Sequence, residues 1–258
     1  MPAELVSTSQ GKTLVLTIRH PELRNAFDPA IYAAGIEALS VAERSDEVRS
    51  VVITGADGSF SAGGDLQRLL AGRQDGAEAQ ALAVESLHNW IETIRTYPKP
   101  VIAAVEGTAA GAGFSLALAC DLIVAARNAS FAMAYSHIGL SPDGGASWSL
   151  GRTLPRQLAS EILLCGERMD PARLHALGLV NRVTEPGQAL HAALALAQTL
   201  NERAPNALDS IKELLSDAPQ NTLTAQLASE RDHFVRNLQH ANAQEGISAF
   251  LEKRSPSY

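Results

Sequence analysis

Cysteine and long apolar runs are both scarce in this chain of 258 residues. Its two cysteines, Cys120 and Cys165, lie in apolar stretches, so we expect two buried free thiols and no disulfide framework. No apolar run reaches the roughly 20 residues that a membrane-spanning helix needs. The opening segment MPAELVSTSQ has neither the basic nor the apolar part of a signal peptide. These absences predict a cytoplasmic protein that does not enter a membrane.

Positive charge is also in deficit. Lys and Arg number 21 against 28 Asp and Glu, which gives a formal net charge of −7. A negative overall field does not attract nucleic acid or an anionic membrane, so neither is expected as a partner. A small anion held by a few local basic side chains remains compatible with this charge. The 46% hydrophobic content is enough for a sizeable core.

Several motifs of cofactor and metal chemistry are missing. The sequence has no H-E-x-x-H, no C-x-x-C pair, no phosphate loop ending in Gly-Lys-Ser/Thr and no G-x-S-x-G. Gly111-Ala112-Gly113 supplies G-x-G after a strand-like run, but Leu116 stands where a dinucleotide-binding loop has its third glycine. We therefore predict no metal site and no dinucleotide site.

The hydrophobic pattern predicts an α/β core over residues 1–186 and a helical region over residues 187–258. Strand-like runs alternate with helical ones up to about residue 185, and every later segment is helical. The polar segment 71–80 is expected to be a mobile loop, and Trp90 and Trp148 are expected in the core. The predicted strands cover 13–18, 48–54, 101–105, 122–125, 129–132 and 179–183. The predicted helices cover 29–42, 83–96, 114–119, 158–165, a short one from Pro171, 188–203, 206–216, 222–240 and 244–253.

Three loops of small residues follow strand-like runs: Phe60 to Leu66, Gly107 to Gly113 and Pro142 to Gly145. Glycine lets the backbone approach a ligand closely, and the second loop leads into a helix whose N-terminal amides favour negative charge. That charge is either a phosphate or a developing oxyanion. Each loop alone is compatible with a tight turn, but three in one α/β chain predict a pocket lined by backbone amides.

Asp143 is the ionisable group with the most suggestive surroundings. It stands in the turn Pro-Asp-Gly-Gly, in a segment otherwise poor in charge. Aspartate is ordinary in such a turn, and it is equally suited to act as a general acid or base in a pocket. His88, Tyr135 and His137 either line the same pocket or simply pack.

Four motifs, taken together and in order, resemble the enoyl-CoA hydratase/isomerase (crotonase) superfamily. They are FSAGGDL, PKPVIAAVEGTAAGAGFSLALACDL, GLSPDGG and EGISAFLEKR, and the resemblance spans about Leu14 to Arg254. It implies an α/β fold, the crotonase-type spiral of ββα turns, with a C-terminal helical trimerisation region. It also implies a homotrimer, or a hexamer built as a dimer of trimers. The substrate would be an acyl-CoA thioester, with coenzyme A as part of the substrate and no separate cofactor.

The resemblance also assigns roles to residues. The backbone N–H groups of Gly64 and Ala112 would form an oxyanion hole for a thioester enolate. Loss of one such donor typically costs about 2.7–4 kcal/mol of transition-state stabilisation. Phe250 and Lys253 would reach the adenosine end of CoA from a neighbouring subunit. The other implied CoA contacts are Arg24, Asn25, Ala26, Ser61, Ala62, Asp65 and Leu66.

Two departures from the family pattern indicate the subgroup. Hydratases of this family use two glutamates, whose positions are taken here by Ser115 and Tyr135. Asp143 instead matches the aspartate of the isomerase and dehalogenase branches, and it is most similar to that of 1,2-epoxyphenylacetyl-CoA isomerase-like members. The sequence therefore predicts an enoyl-CoA isomerase in which Asp143 is the acid/base and His88, Ser115, Tyr135 and His137 line the substrate pocket.

Four alternatives remain open from the sequence. One is an enoyl-CoA hydratase of fatty-acid or aromatic-acid catabolism. The second is a hydrolase like 4-chlorobenzoyl-CoA dehalogenase, in which Asp143 would be the nucleophile and His88 has a counterpart. The third is a CoA-ester-binding subunit without catalysis, and the last is a serine hydrolase using Ser115.

Overall fold

A six-stranded sheet forms the centre of the molecule. The structure is a computed structural model that describes residues 3–258, so the first two residues of the predicted core 1–186 lie outside it. The described residues form eight strands: β1 (Glu4–Gln10), β2 (Thr13–Arg19), β3 (Ser50–Gly55), β4 (Val101–Val105), β5 (Thr108–Ala110), β6 (Leu122–Ala126), β7 (Ser130–Ala132) and β8 (Arg182–Thr184).

The large sheet runs in the order β1-β2-β3-β4-β6-β8. Only β1 and β2 pair antiparallel, and the others are parallel neighbours. Parallel strands need a crossover between them, and the intervening helices supply it. A separate small sheet pairs β5 with β7. The alternation of strand and helix predicted from the sequence is confirmed.

The inner strands β2, β3, β4 and β6 are buried on both faces of the sheet, which explains their continuous apolar runs. Because side chains alternate along a strand, Val51 and Ile53 face the main core while Val52 faces a second, smaller cluster. In that second cluster the sheet packs against Ala193 and Ala197 of the C-terminal region.

Eleven α-helices surround the sheet within residues 3–258. They are α1 (Pro29–Glu43), α2 (Leu66–Gly72), α3 (Ala77–Arg95), α4 (Ala112–Ala119), α5 (Ala146–Thr153), α6 (Arg156–Ser160), α7 (Pro171–Ala176), α8 (Ala189–Asn201), α9 (Pro205–Asp217), α10 (Leu223–Leu238) and α11 (Ala241–Glu252). A π-helical turn, Glu161–Cys165, extends α6. The predicted Asp-Pro starts are confirmed, since Asp28 and Asp170 cap α1 and α7 by accepting bonds from backbone amides.

Helices α8 and α9 attach the C-terminal region to the sheet. Ala193 and Ala197 of α8 pack directly on it. On α9, Lys212 donates to Asp121 Oδ2 at 2.5 Å, and the same carboxylate oxygen accepts the Val101 amide of β4. Helices α10 and α11 expose a set of large apolar side chains: Leu223, Leu227, Phe234, Val235, Leu238, Ile247, Phe250 and Leu251. The boundary at residues 186/187 stays a prediction.

Three expectations from the sequence need correction. Cys120 is buried but Cys165 is exposed, because it ends the π-helical turn at the surface. Trp90 is in the core, whereas Trp148 lies at the surface between the guanidinium groups of Arg95 and Arg152. The segment 71–80 is largely helical rather than a loop, since α2 runs to Gly72 and α3 starts at Ala77.

Two strands, β1 and β5, were not predicted from the sequence. Strand β1 is mostly exposed, so its polar residues carry little apolar alternation. Strand β5 lies inside what was predicted to be a single glycine turn. Within residues 3–258, no helix combines the length and the apolar character needed to cross a bilayer.

Candidate active site

Strand β5 holds two of the predicted loops side by side. The Ser61 amide donates to the Thr108 carbonyl at 2.8 Å, and the Ala110 amide donates to the Ser61 carbonyl at 2.9 Å. On its other side, β5 pairs with β7, and the Gly111 amide donates to the Ala132 carbonyl at 2.9 Å. The loops that carry Gly64 and Ala112 are therefore joined by β-type pairing.

Gly63 and Gly111 shape the place where the loops meet. Gly63 has a φ of +88°, and a Cβ there would lie 2.5 Å from the Ala110 carbonyl oxygen and 3.2 Å from the Ala112 nitrogen. Gly111 has a φ of +51° and immediately precedes α4. A side chain at Gly63 would separate the loops, and one at Gly111 would strain the backbone.

The amides of Gly64 and Ala112 both remain available to a ligand. Neither donates a hydrogen bond to any acceptor among the described residues 3–258. Ala112 is the first residue of α4, where the helix dipole adds positive potential. Two free amides on adjoining loops, one of them at a helix N-terminus, can stabilise an oxyanion.

Asp143 is tied to the same region by two side chains. The Tyr135 hydroxyl donates to Asp143 Oδ1 at 2.6 Å, and the Ser115 hydroxyl of α4 donates to the Asp143 carbonyl at 3.0 Å. Gly144 packs so closely that a Cβ on it would lie 2.9 Å from Ser115 Cβ. The structure thus brings Ser115, Tyr135 and Asp143 together, as the sequence predicted.

Two phenols experience the negative charge of Asp143. Burial, and after it the charge of Asp143, raises the pKa of Tyr135 well above its ordinary value. The same two causes, in the same order, raise the pKa of Tyr32 on α1, while Arg68 opposes the shift. Both phenols therefore stay protonated above the pH at which an ordinary tyrosine ionises. Tyr32 was not predicted from the sequence, where its only signal is its place on the buried face of a predicted helix.

Several predicted CoA contacts serve as structural supports of the loops. Asn25 is buried with a φ of +58°, and its amide group donates to the carbonyls of Ala56 and Ser59. Ser61 is buried and donates to the Asn25 carbonyl. The Arg24 side chain is exposed, and its carbonyl accepts the Ala62 amide at 2.9 Å. These hydrogen bonds hold the loop backbone in place at the edge of the candidate site.

The remaining predicted contacts lie at the surface or in tight packing. Ala26 is buried, and its carbonyl oxygen lies within hydrogen-bond distance of the His20 ring. Asp65 caps the N-terminus of α2. Leu66 begins that helix, and its side chain is exposed. Phe250 is exposed on α11, and Lys253 ends that helix with a left-handed backbone conformation.

The two histidines that were predicted to line the pocket have other partners. His88 on α3 is half-exposed and lies 3.8 Å from Glu85. The His137 Nε2 atom lies 2.6 Å from the Cys165 carbonyl oxygen. Neither imidazole hydrogen-bonds Asp143, so Tyr135 and Ser115 are its partners among the four predicted pocket residues.

Two surface cavities lie away from Asp143. One of about 560 Å³ is lined by the ends of α1 and α3, including Glu43 and Tyr97. Another of about 310 Å³ is lined by Trp148 and Arg152. Neither includes Asp143, so we locate the candidate site by its chemistry rather than by cavity size. Among residues 3–258, no three His, Cys, Asp or Glu side chains cluster in a way that could hold a metal ion.

Fold and site together define an α/β protein of the ββα-spiral type with paired amide donors beside a carboxylate. The family model described as enoyl-CoA hydratase/isomerase matches residues 8–258. The chain belongs to this family, the crotonase superfamily, which confirms the resemblance seen in its motifs.

Some relatives of the chain are named isomerases and others are named hydratases. The chain is 36% identical to 1,2-epoxyphenylacetyl-CoA isomerase of Escherichia coli K12, over 98% of this chain and 97% of that one. It is 34% identical to 2,3-dehydroadipyl-CoA hydratase of the same organism, over 99% and 98%. A crystal structure of an enoyl-CoA hydratase from Polaromonas sp. JS666 is 66% identical, with a TM-score of 0.98 over 98% of this chain and 99% of that one.

Proposed function

We propose that this member of the family is an enoyl-CoA isomerase in which Asp143 moves a proton along the acyl chain. The observation that carries the proposal is the set of residues around the paired amides. Asp143 is the one carboxylate among the predicted catalytic and pocket residues, and positions 115 and 135 hold a hydroxyl and a phenol. A single carboxylate that accepts and returns a proton suffices for isomerisation.

The proposed reaction starts from a 3-enoyl-CoA or a ring-derived acyl-CoA. The Asp143 carboxylate takes a proton from the α carbon, and the electrons of that C–H bond pass to the thioester oxygen. The Gly64 and Ala112 amides stabilise the resulting enolate oxygen. The protonated Asp143 then returns its proton to the γ carbon, which re-forms the thioester carbonyl and leaves a 2,3 double bond. Atoms and charge balance, and no separate cofactor is involved.

The proposed CoA site lies along Arg24, Asn25 and Ala26 and the backbone of Ser61 and Ala62. The exposed Arg24 side chain supports this placement, because it supplies local positive charge on an otherwise acidic protein. Asp65 and Leu66 would border the same groove. Phe250 and Lys253 would come from a neighbouring subunit.

The proposed assembly is a homotrimer or a dimer of trimers. The exposed large apolar side chains of α10 and α11 support it, since burying apolar surface of this kind favours association. Replacing Phe234 with Asp should shift the sedimentation-derived mass toward that of one chain. An unchanged mass would contradict the role of this surface.

The test of the proposed activity compares Asp143→Asn with the wild type on a 3-enoyl-CoA. The variant should lose at least about 1,000-fold in kcat, because the amide cannot accept the proton, while CoA-ester binding stays nearly intact. Asp170→Asn is the matched control, since Asn also caps a helix and residue 170 lies outside the site. Undiminished turnover by Asp143→Asn would overturn the proposal.

Hydration is the second candidate, favoured by the 66% identity to a structure described as an enoyl-CoA hydratase. It would require Asp143 alone to activate water. Loss of the conjugated-thioester absorbance of crotonyl-CoA measures hydration directly. A kcat of about 10 s⁻¹ or more with this substrate would favour hydration over isomerisation.

A further inference from the structure

The hydroxyl of Tyr135 is aimed at one oxygen of the proposed base. It donates to Asp143 Oδ1 at 2.6 Å, a distance ordinary for a charge-assisted bond between a hydroxyl and a carboxylate. Among residues 3–258 no side chain donates to Oδ2, which leaves that oxygen free to meet a substrate proton. A carboxyl group with one oxygen fixed has less rotational freedom to lose when it reacts.

Tyr135 is itself held rigidly. Its ring is buried, at 8% exposure, within a short 3-10 helix that follows β7. A Cβ built on Gly111 would lie 3.5 Å from its hydroxyl oxygen, so the phenol fills the space beside the residue that precedes the Ala112 amide. One side chain thus bonds the proposed base and lies near the backbone beside a proposed oxyanion donor.

We propose that Tyr135 is a positioning residue that holds Asp143 against the substrate's α carbon through the bond to Oδ1, so that Oδ2 carries the transferred proton. The inference rests on the proposed function and deepens it, because it gives Tyr135 a part in proton transfer rather than a place in the pocket wall. Burial, and after it the negative charge of Asp143, raises the pKa of the phenol, which therefore stays protonated and able to donate.

The neighbouring groups fit this division of roles. Ser115 fixes the backbone of Asp143 through its carbonyl, whereas Tyr135 fixes the carboxylate itself. Burial and then the charge of Asp143 raise the pKa of Tyr32, with Arg68 opposing and Asp28 adding to the shift, but Tyr32 donates to no acceptor within the described residues. Tyr135 is therefore the phenol that can orient the carboxylate.

The first test uses butyryl-CoA, whose α hydrogens exchange with deuterated water if a base and an oxyanion hole act on it. Tyr135→Phe should slow this exchange about 10- to 100-fold, the loss expected for a hydrogen bond to a charged group. The Kd for butyryl-CoA should stay within about twofold, because a positioning residue acts on the reactive step. Exchange at the wild-type rate, or a Kd that weakens in step with the rate, would overturn the inference.

Tyr97→Phe is the matched control. Its hydroxyl is also buried and donates to a backbone carbonyl, that of Leu39, outside the site. This variant should keep the wild-type exchange rate even though it loses a buried hydrogen bond. A similar slowing in both variants would show a general effect of lost stability and would count against Tyr135 as a positioning residue.

The second test needs no substrate and no change at Tyr135. The infrared C–O stretch of ring-labelled tyrosine reports whether the phenol donates to a charged acceptor, and Asp143→Asn should move one tyrosine band. An unmoved band would overturn the inference even if Tyr135→Phe fails to fold. Failure of the proposed function looks different: Asp143→Asn would then exchange butyryl-CoA as fast as the wild type.

Discussion

Ser61 and Ala110 are bonded through their backbones, with the Ala110 amide donating to the Ser61 carbonyl at 2.9 Å. This bond joins two loops that lie about 50 residues apart in sequence. It is a non-local contact, so it forms only when the tertiary fold brings the loops together. It fixes the spacing of the Gly64 and Ala112 amides before any ligand arrives. Preorganised donors of this kind do not have to reorient during a reaction.

Gly63→Ala should disrupt the spacing of the Gly64 and Ala112 amides. The added Cβ would lie 2.5 Å from the Ala110 carbonyl oxygen, so the loops must move apart. We expect turnover to fall at least about 100-fold, the effect of losing one oxyanion donor. Steady-state kinetics measures the loss of turnover, and thermal unfolding separately measures any loss of stability caused by moving the loops apart.

Gly178→Ala is the control for that substitution. Gly178 has a similar φ of +79°, but a Cβ there meets nothing within 4 Å. It should therefore show only the backbone strain of about 1 kcal/mol, with turnover unchanged. Equal turnover losses in the two variants would refute the role assigned to loop contact.

Ser115→Ala should loosen the loop that carries Asp143. The substitution removes a bond to the Asp143 carbonyl, and we expect a loss of about 1 kcal/mol in the free energy of unfolding with a several-fold fall in kcat. Ser86→Ala removes only a bond to a carbonyl one helical turn back and serves as the control. Urea denaturation and kinetics together check the prediction, which fails if both variants behave alike.

Ser115→Glu tests whether the missing hydratase carboxylate can simply be restored. Gly144 packs closely against Ser115, and glutamate replaces the small hydroxyl with a methylene and a carboxylate, so the larger side chain should displace the loop that carries Asp143. We expect lower stability and no gain of crotonyl-CoA hydration. An active hydratase created by this single change would show that the loop yields more easily than its packing indicates.

Lys212→Met should weaken the attachment of α9. Both members of the pair with Asp121 are largely buried, so removing the cation leaves a carboxylate poorly compensated. We expect a loss of about 1.5–3 kcal/mol in the free energy of unfolding. The exposed pair Arg173–Glu161 is the comparison, because Arg173→Met should cost less than about 1 kcal/mol. Equal losses would contradict the assigned difference in burial.

Stability should decline at alkaline pH because buried tyrosines must release their protons on unfolding. Burial raises the pKa of Tyr97, and burial followed by the charge of Asp143 raises the pKa of Tyr32 and Tyr135. The folded chain therefore holds these protons more tightly than the unfolded chain, and stability falls as the pH rises above about 10. Urea unfolding across that range measures the slope, and Tyr97→Phe should reduce it. A flat profile would contradict the burial of these phenols.

The sequence predicts the core and the glycine loops better than it predicts the partners of Asp143. Apolar runs such as that of β4 specify a buried strand locally, and Asp-Pro specifies a helix start. The bond between Tyr135 and Asp143 depends on a 3-10 helix and a left-handed turn at Gly139 that fold the chain back on itself. No local sequence pattern predicts the chain reversal that brings Tyr135 next to Asp143.

Exposure is hard to predict from the sequence for the same reason. Cys165 follows an apolar run and Trp148 is a large aromatic residue, yet the faces they occupy are decided by how the π-helical turn and α5 pack. Segment 71–80 is rich in alanine, glutamate and glutamine, which favour helix once α3 docks on α1. Gly72 and Gly76 masked that preference.

The most direct test of the account is the product formed from a 3-enoyl-CoA, identified by mass and by NMR. Isomerisation through Asp143 predicts a 2-enoyl-CoA of unchanged mass in ordinary water, with formation abolished in Asp143→Asn. A 3-hydroxyacyl-CoA heavier by one water, formed as fast as the 2-enoyl product, would contradict the account and assign the chain to hydration.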